Sequence, residues 1–514
     1  MSAGKPTGER NGLSIRAALL AAAKVAGFAL ALPMPLVLVR TLDQTEFGLY
    51  KQVFQILQTS LTLLGLHVGL SAYYFMPRHP DKKPHVAMNV MIFYGAVGSA
   101  VALMFAAYPR WITILFKSDE LVPHMPLLGL AIMLWLVSSL LEVVTVANSD
   151  IRMAALFTVL VHLAKSAMLI AAGLVFRNVH AIVWAAVAQG VLQCAMLFLY
   201  LRARFGKSWL SFDPALFRAQ LANAIPFGLG ALAYATQADM HNYFVSHYFG
   251  PADFAIYAVG CFELPLLSVL VDSVISVLLP EIARREAAAD YDGIITLWAS
   301  AVRKLAFFFV PAYTFLFVMR YEFITALFTK NYEPAVAVFT INLLNILLFI
   351  AVPTSIIRAF EELKYYRLKL SVAMLPVSFA ALYAGVHAAG LVGAVTALIV
   401  VQTLDLALIV FKIGRRLKMS PGDVKRLAPV LRTAAAAAFA ALVTYAVKLG
   451  LDDTLPALMQ RAGTPRLRVW AALAICGVVF AAVHLAAAFA MGAVTAEEKL
   501  ELRGALYKVA RRAA

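Results

Sequence analysis

Charged side chains are scarce in this 514-residue chain. They make up 14% of it, about half the share of an ordinary soluble domain, while apolar residues reach 62%. A water-soluble fold of this size could not hide so much apolar surface, whereas a chain surrounded by lipid does not need to. No polar stretch longer than about 25 residues separates the apolar blocks, which excludes an independent soluble domain. Cysteine is also rare. Cys194, Cys261 and Cys476 lie apart inside apolar runs, so neither a disulfide framework nor a metal-binding spacing can be drawn from them. No catalytic residues are indicated. The sequence has no nucleophile elbow, Walker motif, HExxH or glycine-rich phosphate loop on a polar segment, which argues against an ATP-driven pump.

The net charge of +16 does not point to nucleic acid, because the charges sit in short loops between apolar runs. Lys5 and Arg10 precede an apolar run, as in a signal peptide. That run continues to about Val39 with no small-residue cleavage site, so it reads as a retained first span.

A helix needs about 20 apolar residues to cross the roughly 30 Å hydrocarbon core. Fourteen segments qualify: 14–39, 48–76, 86–108, 125–147, 153–176, 180–203, 221–247, 252–280, 295–319, 335–357, 367–387, 391–413, 429–449 and 468–492. The runs are continuous rather than alternating, which excludes a membrane β-barrel. With the N-terminus placed inside, 31 of the 44 Lys and Arg residues fall on the cytoplasmic side and 11 outside; Lys24 and Lys165 lie within spans. Such a bias expects an even number of spans and both termini cytoplasmic.

The chain repeats itself. The junction after the first span reads Glu46-Phe47-Gly48-Leu49-Tyr50, and the one after the seventh reads Asp253-Phe254-Ala255-Ile256-Tyr257. Val179-x-Ala181 with Gln189 is echoed by Val392-x-Ala394 with Gln402. Spans 1–6 and 7–12 thus look like two copies of a six-helix unit in the same orientation. The fold expected is an all-α polytopic membrane protein with about 14 transmembrane helices. Its parts are a tail (1–13), an N-terminal six-helix lobe (14–208), a C-terminal six-helix lobe (221–416), two additional helices (429–492) and a basic tail (493–514).

Twelve spans in two halves, two further spans, and the stretch Val39-Arg40-Thr41-Leu42-Asp43-Gln44-Thr45-Glu46-Phe47-Gly48-Leu49-Tyr50 together resemble a known group. It is the polysaccharide-transport (Wzx-type flippase) branch of the multidrug/oligosaccharidyl-lipid/polysaccharide exporter superfamily. Members commonly carry Leu-Gly where this chain has Leu42-Asp43. The resemblance implies two lobes around a central cavity, undecaprenyl-diphosphate-linked oligosaccharide as substrate, and alternating access driven by an ion gradient. It also implies a bacterial inner-membrane location, with membrane lipids, a polysaccharide polymerase and export proteins as partners. No nucleic acid and no cofactor are expected, beyond H+ or Na+ as coupling ion.

Charges inside hydrocarbon are costly and need a reason. At about 1.5 Å per residue, Lys24 and Lys165 lie near the middle of spans 1 and 5, too deep to reach either interface. Arg16 sits at the cytoplasmic mouth of span 1. Together these three cations could hold a diphosphate; the competing reading of Arg16 is an interfacial anchor. Gln52, Gln55 and Gln58 share one stripe of span 2 and suit sugar hydroxyls or a helix partner equally well. Asp239 and Glu263, about 12 and 16 Å deep from the outer side in consecutive spans at about 1.5 Å per residue, are expected to share a pocket that loads an ion, with Asp405 a third candidate. Glu142 reads as interfacial, and His162 as helix packing. No metal site is expected. A multidrug-type antiporter, a polysaccharide polymerase or ligase, and a non-transporting scaffold are the alternatives.

Overall fold

The computed structural model describes residues 7–116, 118–461 and 468–493. Side chains are described from Leu19 onward, apart from 227, 230, 231, 265, 266 and 452–461. Among the described residues there is no strand, and every expected span is helical. The protein is an all-α polytopic membrane protein. Nine helical segments of the described residues are long and apolar enough to cross a membrane, and one of them, Glu361–Arg416, holds two expected spans.

The other expected spans fall short because they are broken or more polar. The first two helices are α1 (Thr7–Ala31) and α2 (Pro33–Thr41); Pro33 opens α2, where a missing N–H costs nothing. The second span divides into α3 (Gln44–Gly65) and α4 (Ser71–Arg78). Between them Leu66 and His67 take left-handed backbone angles, φ 41° and 58°. The Tyr94 hydroxyl fixes this turn by accepting from the Gly69 N–H at 2.7 Å. Next come α5 (Lys83–Ala107) and the short α6 (Ile112–Phe116). The fourth span is α7 (Met125–Ser138) with α8 (Leu140–Ala147); α9 (Ile151–Phe176) and α10 (Val179–Phe205) follow unbroken. Asp43, Asn178 and Asp213 each accept a backbone N–H at a helix start, so the sharp turns leave few orphan donors.

Beyond these lie α11 (Pro214–Tyr248), α12 (Pro251–Gly260), α13 (Pro265–Ala287), α14 (Tyr291–Val318) and α15 (Arg320–Phe328). The tenth span is fragmented into α16 (Ala335–Asn342), α17 (Leu344–Leu348) and α18 (Thr354–Ala359). Spans 11 and 12 form α19 (Glu361–Arg416), which folds back at Ala389 and Gly390. There Gly385 and Gly393 bring their backbones into direct contact, and a Cβ on either would strike the other helical arm of the hairpin. The last helices are α20 (Ala428–Arg461) and α21 (Arg468–Ala490).

The chain divides into two compact units, residues 1–258 and 259–514. The first therefore contains α11 and most of α12, which the internal repeat assigns to the second copy. Specific bonds account for this. Asn89 on α5 donates to the Asp213 carbonyl and to Gln220 Oε1, and Lys82 pairs with Asp213 at 2.7 Å. Gly228 lies against the Leu66 carbonyl, and the His247 ring meets the Leu115 carbonyl at 3.0 Å. The two junctions of the repeat also touch, with Gly48 against the backbone of Pro251. In the second unit, α14 is flanked by α13, α17 and α20, and α20 pairs with α21.

Candidate functional site

The central charges of the first unit converge on a small cluster. α1 is alanine-rich around Lys24, so α9 can approach it closely. Gly27 carries the point of approach: a Cβ there would overlap the His162 ring. Lys24 Nζ lies 2.9 Å from Glu142 Oε1, which α8 supplies from its first turn. The pair is open, with 58% of the lysine side chain and 43% of the glutamate side chain exposed. His162 lies within electrostatic reach of Glu142 and Lys165, and Tyr73 within reach of Glu142.

Lys165, three residues along α9 from His162, places its ammonium 4.5 Å above the Trp135 ring. That ring is held rigidly. Its indole N–H donates to the Ala186 carbonyl at 2.9 Å, and Phe54 meets it edge-on at 6.2 Å. A ring face attracts a cation without neutralising it. Among the described residues Lys165 makes no ion pair, so its charge remains available to an anion. Arg16 lies eight residues before Lys24 on α1, about two turns away, and its side chain is outside the described set.

The glutamine stripe splits. Gln52 is fully buried, and neither its amide nitrogen nor its oxygen finds a hydrogen-bond partner among the described residues. Gln55 is half-buried and donates to Thr59 Oγ1 at 3.3 Å. Thr59 in turn donates to Asp239 Oδ2 at 3.4 Å, which ties α3 to α11. Asp239 thus belongs to the first unit and joins the polar stripe of span 2. Glu263 lies in the second unit, in the non-helical turn between α12 and α13. Asp405 is held in the α19 hairpin by Arg367 at 2.5 Å. His241 faces Tyr257 Oη at 2.8 Å.

Glu142, Trp135 and His162 were absent from the residues singled out by sequence for this site. Glu142 sits too near its span's inner end to signal a midplane role, and its partner is 118 positions away. Trp135 gave no signal beyond being a lone aromatic in an apolar run. No group of three or more potential metal ligands occurs among the described residues.

Known folds resemble this one over nearly its whole length. The lipid II flippase MurJ, in an inward closed conformation, matches 92% of this chain and 97% of its own, with TM-score 0.69 and 13% identity. An inward-facing multidrug resistance MATE family transporter of the MOP superfamily matches 78% and 96%, with TM-score 0.56 and 15% identity. A MOP superfamily transporter from Pyrococcus furiosus, described as having a binding pocket of reversed polarity, matches 78% and 95%, with TM-score 0.52 and 14% identity. No curated protein matches by sequence. The model of one family, described as polysaccharide biosynthesis protein, matches residues 37–337, more than half of the chain. With its helical architecture and its basic cluster within the apolar spans now described, this chain belongs to the polysaccharide biosynthesis protein family.

Proposed function

We propose that the protein is a flippase that moves undecaprenyl-diphosphate-linked oligosaccharide across the bacterial inner membrane. The observation that carries this reading is the pair of cations in the interior of two apolar spans of one unit: Lys24, which is open, and Lys165, which lies over the Trp135 ring. A cation near the bilayer midplane is retained where it meets an anion. A lipid-linked diphosphate brings about two negative charges to that depth, and lysine binds phosphate as a point charge. Family membership in polysaccharide biosynthesis supports a glycan-linked cargo, and the fold shared with a lipid II flippase supports a lipid-linked one. An amphiphilic drug cation would be repelled by the same two lysines, which disfavours a multidrug-type antiporter. The reading assigns the protein transport and no bond-making step.

Gln55 and Arg16 extend the ligand site in this reading, and Gln52, fully buried, stands behind it on the same helix. Asp239, Glu263 and Asp405 are the carboxylates assigned to ion coupling by H+ or Na+. Asp239 is the most accessible of these assignments to test, since its partners are a neutral threonine and glutamine rather than a cation. Both termini are assigned to the cytoplasm, and a polymerase and export proteins would take up the work on the opposite side of the membrane.

The test is reconstitution in liposomes with a fluorescent undecaprenyl-diphosphate oligosaccharide, scored with and without a proton or sodium gradient. Wild-type protein should translocate it, faster with the correct gradient. Lys24→Ala and Lys165→Ala should each slow it about tenfold or more, the cost of removing one partner of a charge pair. Translocation that is indifferent to both substitutions contradicts the reading.

A further inference from the structure

Two fully buried polar side chains of the first unit lack partners. Gln52 on α3 and Ser246 on α11 have no exposed surface. The Gln52 amide nitrogen, its amide oxygen and the Ser246 hydroxyl find no hydrogen bond among the described residues. Buried polar groups are costly to leave unpaired, so each needs a reason.

The two side chains face each other. Thr59 on α3 donates to Asp239 on α11, and Gly48 on α3 touches Pro251, which opens α12 just past the end of α11, so α3 and α11 run antiparallel. Gln52 stands seven residues before Thr59, and Ser246 seven residues after Asp239. Seven residues make close to two turns, about 10 Å along the axis, so each side chain shares the face of the residue it is counted from. In antiparallel helices the two steps end at the same level, between the Thr59–Asp239 bond and the Gly48–Pro251 contact.

Water satisfies all three atoms. It accepts from the amide nitrogen and donates to the amide oxygen, and a serine hydroxyl takes either role. A metal cation would suit the two oxygens and leave the amide N–H groups facing a positive charge. Toward Asp239 the row continues through neutral groups. Gln55 donates to Thr59 and reaches the Asp239 carboxylate, and the Tyr243 hydroxyl meets Thr59. Phe116 from α6 packs edge-on against the Tyr243 ring. Lys51 is turned to the Phe47 and Tyr50 rings and His241 to Tyr257, and no charged side chain among the described residues acts on Asp239.

We propose that the α3–α11 seam holds buried water between Gln52 and Ser246, and that this water passes protons from the outer side to Asp239. The hydroxyls of Tyr243 and Thr59 complete the chain. The step is a protonation: a hydronium ion at the outer mouth gives up one proton, and the Asp239 carboxylate becomes a carboxylic acid, with no other bond made or broken. Asp239 is then a site for a proton rather than for sodium. What protonation drives rests on the reading of the protein as an ion-coupled flippase; the water path stands on the two unpartnered side chains.

The test has one arm without cargo and one with it. In the first, infrared difference spectroscopy of the full-length protein in liposomes follows the carboxyl band that Asp239→Asn removes, through a series of pH steps and, at acid pH, on exchange from H2O to D2O. Wild type should show the band and exchange it promptly. Gln52→Met with Ser246→Ala dries the seam and should slow the exchange about tenfold or more, as loss of the bridging hydrogen bonds raises the barrier. Ser246→Thr keeps the hydroxyl and should slow it less. No Asp239 band at any pH, or a dry variant that exchanges at the wild-type rate, overturns the inference. In the second arm the liposomes carry the fluorescent lipid-linked oligosaccharide under a proton or a sodium gradient. The proton gradient alone should accelerate wild type, and Ser246→Ala should lose that acceleration while keeping its rate without a gradient. Acceleration by sodium alone overturns the inference and leaves the flippase reading standing. No translocation by wild type overturns the flippase reading, and the infrared arm still decides the water path. The dry variant should melt at or above the wild-type midpoint, because unsatisfied groups have been removed; if it does not fold, the exchange rate of Ser246→Ala decides.

Discussion

Two sets of charges, one in each unit, are treated in opposite ways. In the second, Lys448–Glu322 and Arg367–Asp405 are largely covered pairs, with side chains at most 22% exposed. In the first, Lys24–Glu142 is open and Lys165 rests on an aromatic ring. A closed pair does structural work, because taking away one partner strands the other in a low-dielectric interior. An open pair contributes little to stability and keeps its charge usable by a ligand. The same residue types thus do different jobs according to what covers them.

The largest expected break in this comparison is on the closed side. Glu322→Gln should destabilise the protein by about 3 kcal/mol, read as a lowered thermal midpoint in detergent, because the Lys448 ammonium would be left buried alone. The double variant Lys448→Met/Glu322→Met should recover most of the loss. Next comes the contact between the two junctions of the repeat. A Cβ on Gly48 would run into the Pro251 carbonyl, a backbone atom that cannot swing aside. Gly48→Val should therefore cost about 1–3 kcal/mol, measured the same way. On the open side, Trp135→Ala removes the platform beneath Lys165 and should weaken binding of undecaprenyl diphosphate several-fold; Trp135→Phe, which keeps a ring face, should weaken it less.

The smallest effect lies outside the membrane spans. The ammonium of Lys82 and the N–H groups at the start of α11 hold the Asp213 carboxyl below the usual carboxylate range. A lowered folded value means that the stabilisation is fully present above about pH 4, the unfolded value, and is lost as pH falls through the folded one. Lys82→Met should therefore be slightly less stable than wild type at pH 7, and the gap should close below about pH 4. A gap that stays constant across that range would remove the ion pair from the account of how α11 is fastened.

Much of the architecture was legible in the sequence, because apolar run length is a direct consequence of bilayer thickness. All fourteen expected segments are helical. Their interruptions were legible only in part: Pro33, Pro265 and Pro353 stand at three of the breaks. Gly65 and Gly69 flank the break in the second span, yet the positive φ angles fall on Leu66 and His67, imposed by contacts with Tyr94 and Gly228 from distant helices. The repeat is visible in the junction residues, but ancestry does not dictate contacts. α11 is the second copy's first helix and is bonded into the first unit through Asn89, Gln220 and Asp239. For the candidate site, depth marked Lys24 and Lys165 because burying a charge needs a reason. Their partners could not be read, since Glu142 and Trp135 meet them only through the packing of α7, α8 and α9.

The contrast between open and closed charges is tested most directly by measuring translocation and thermal midpoint together on two variants. Lys24→Met with Lys165→Met removes the open charges; Lys448→Met with Glu322→Met removes a closed pair without stranding either member. The account predicts that the first variant loses translocation of the fluorescent lipid-linked oligosaccharide while its midpoint stays close to wild type. The second should keep translocation. A first variant that still translocates at the wild-type rate, or that loses activity only because it unfolds, would contradict it.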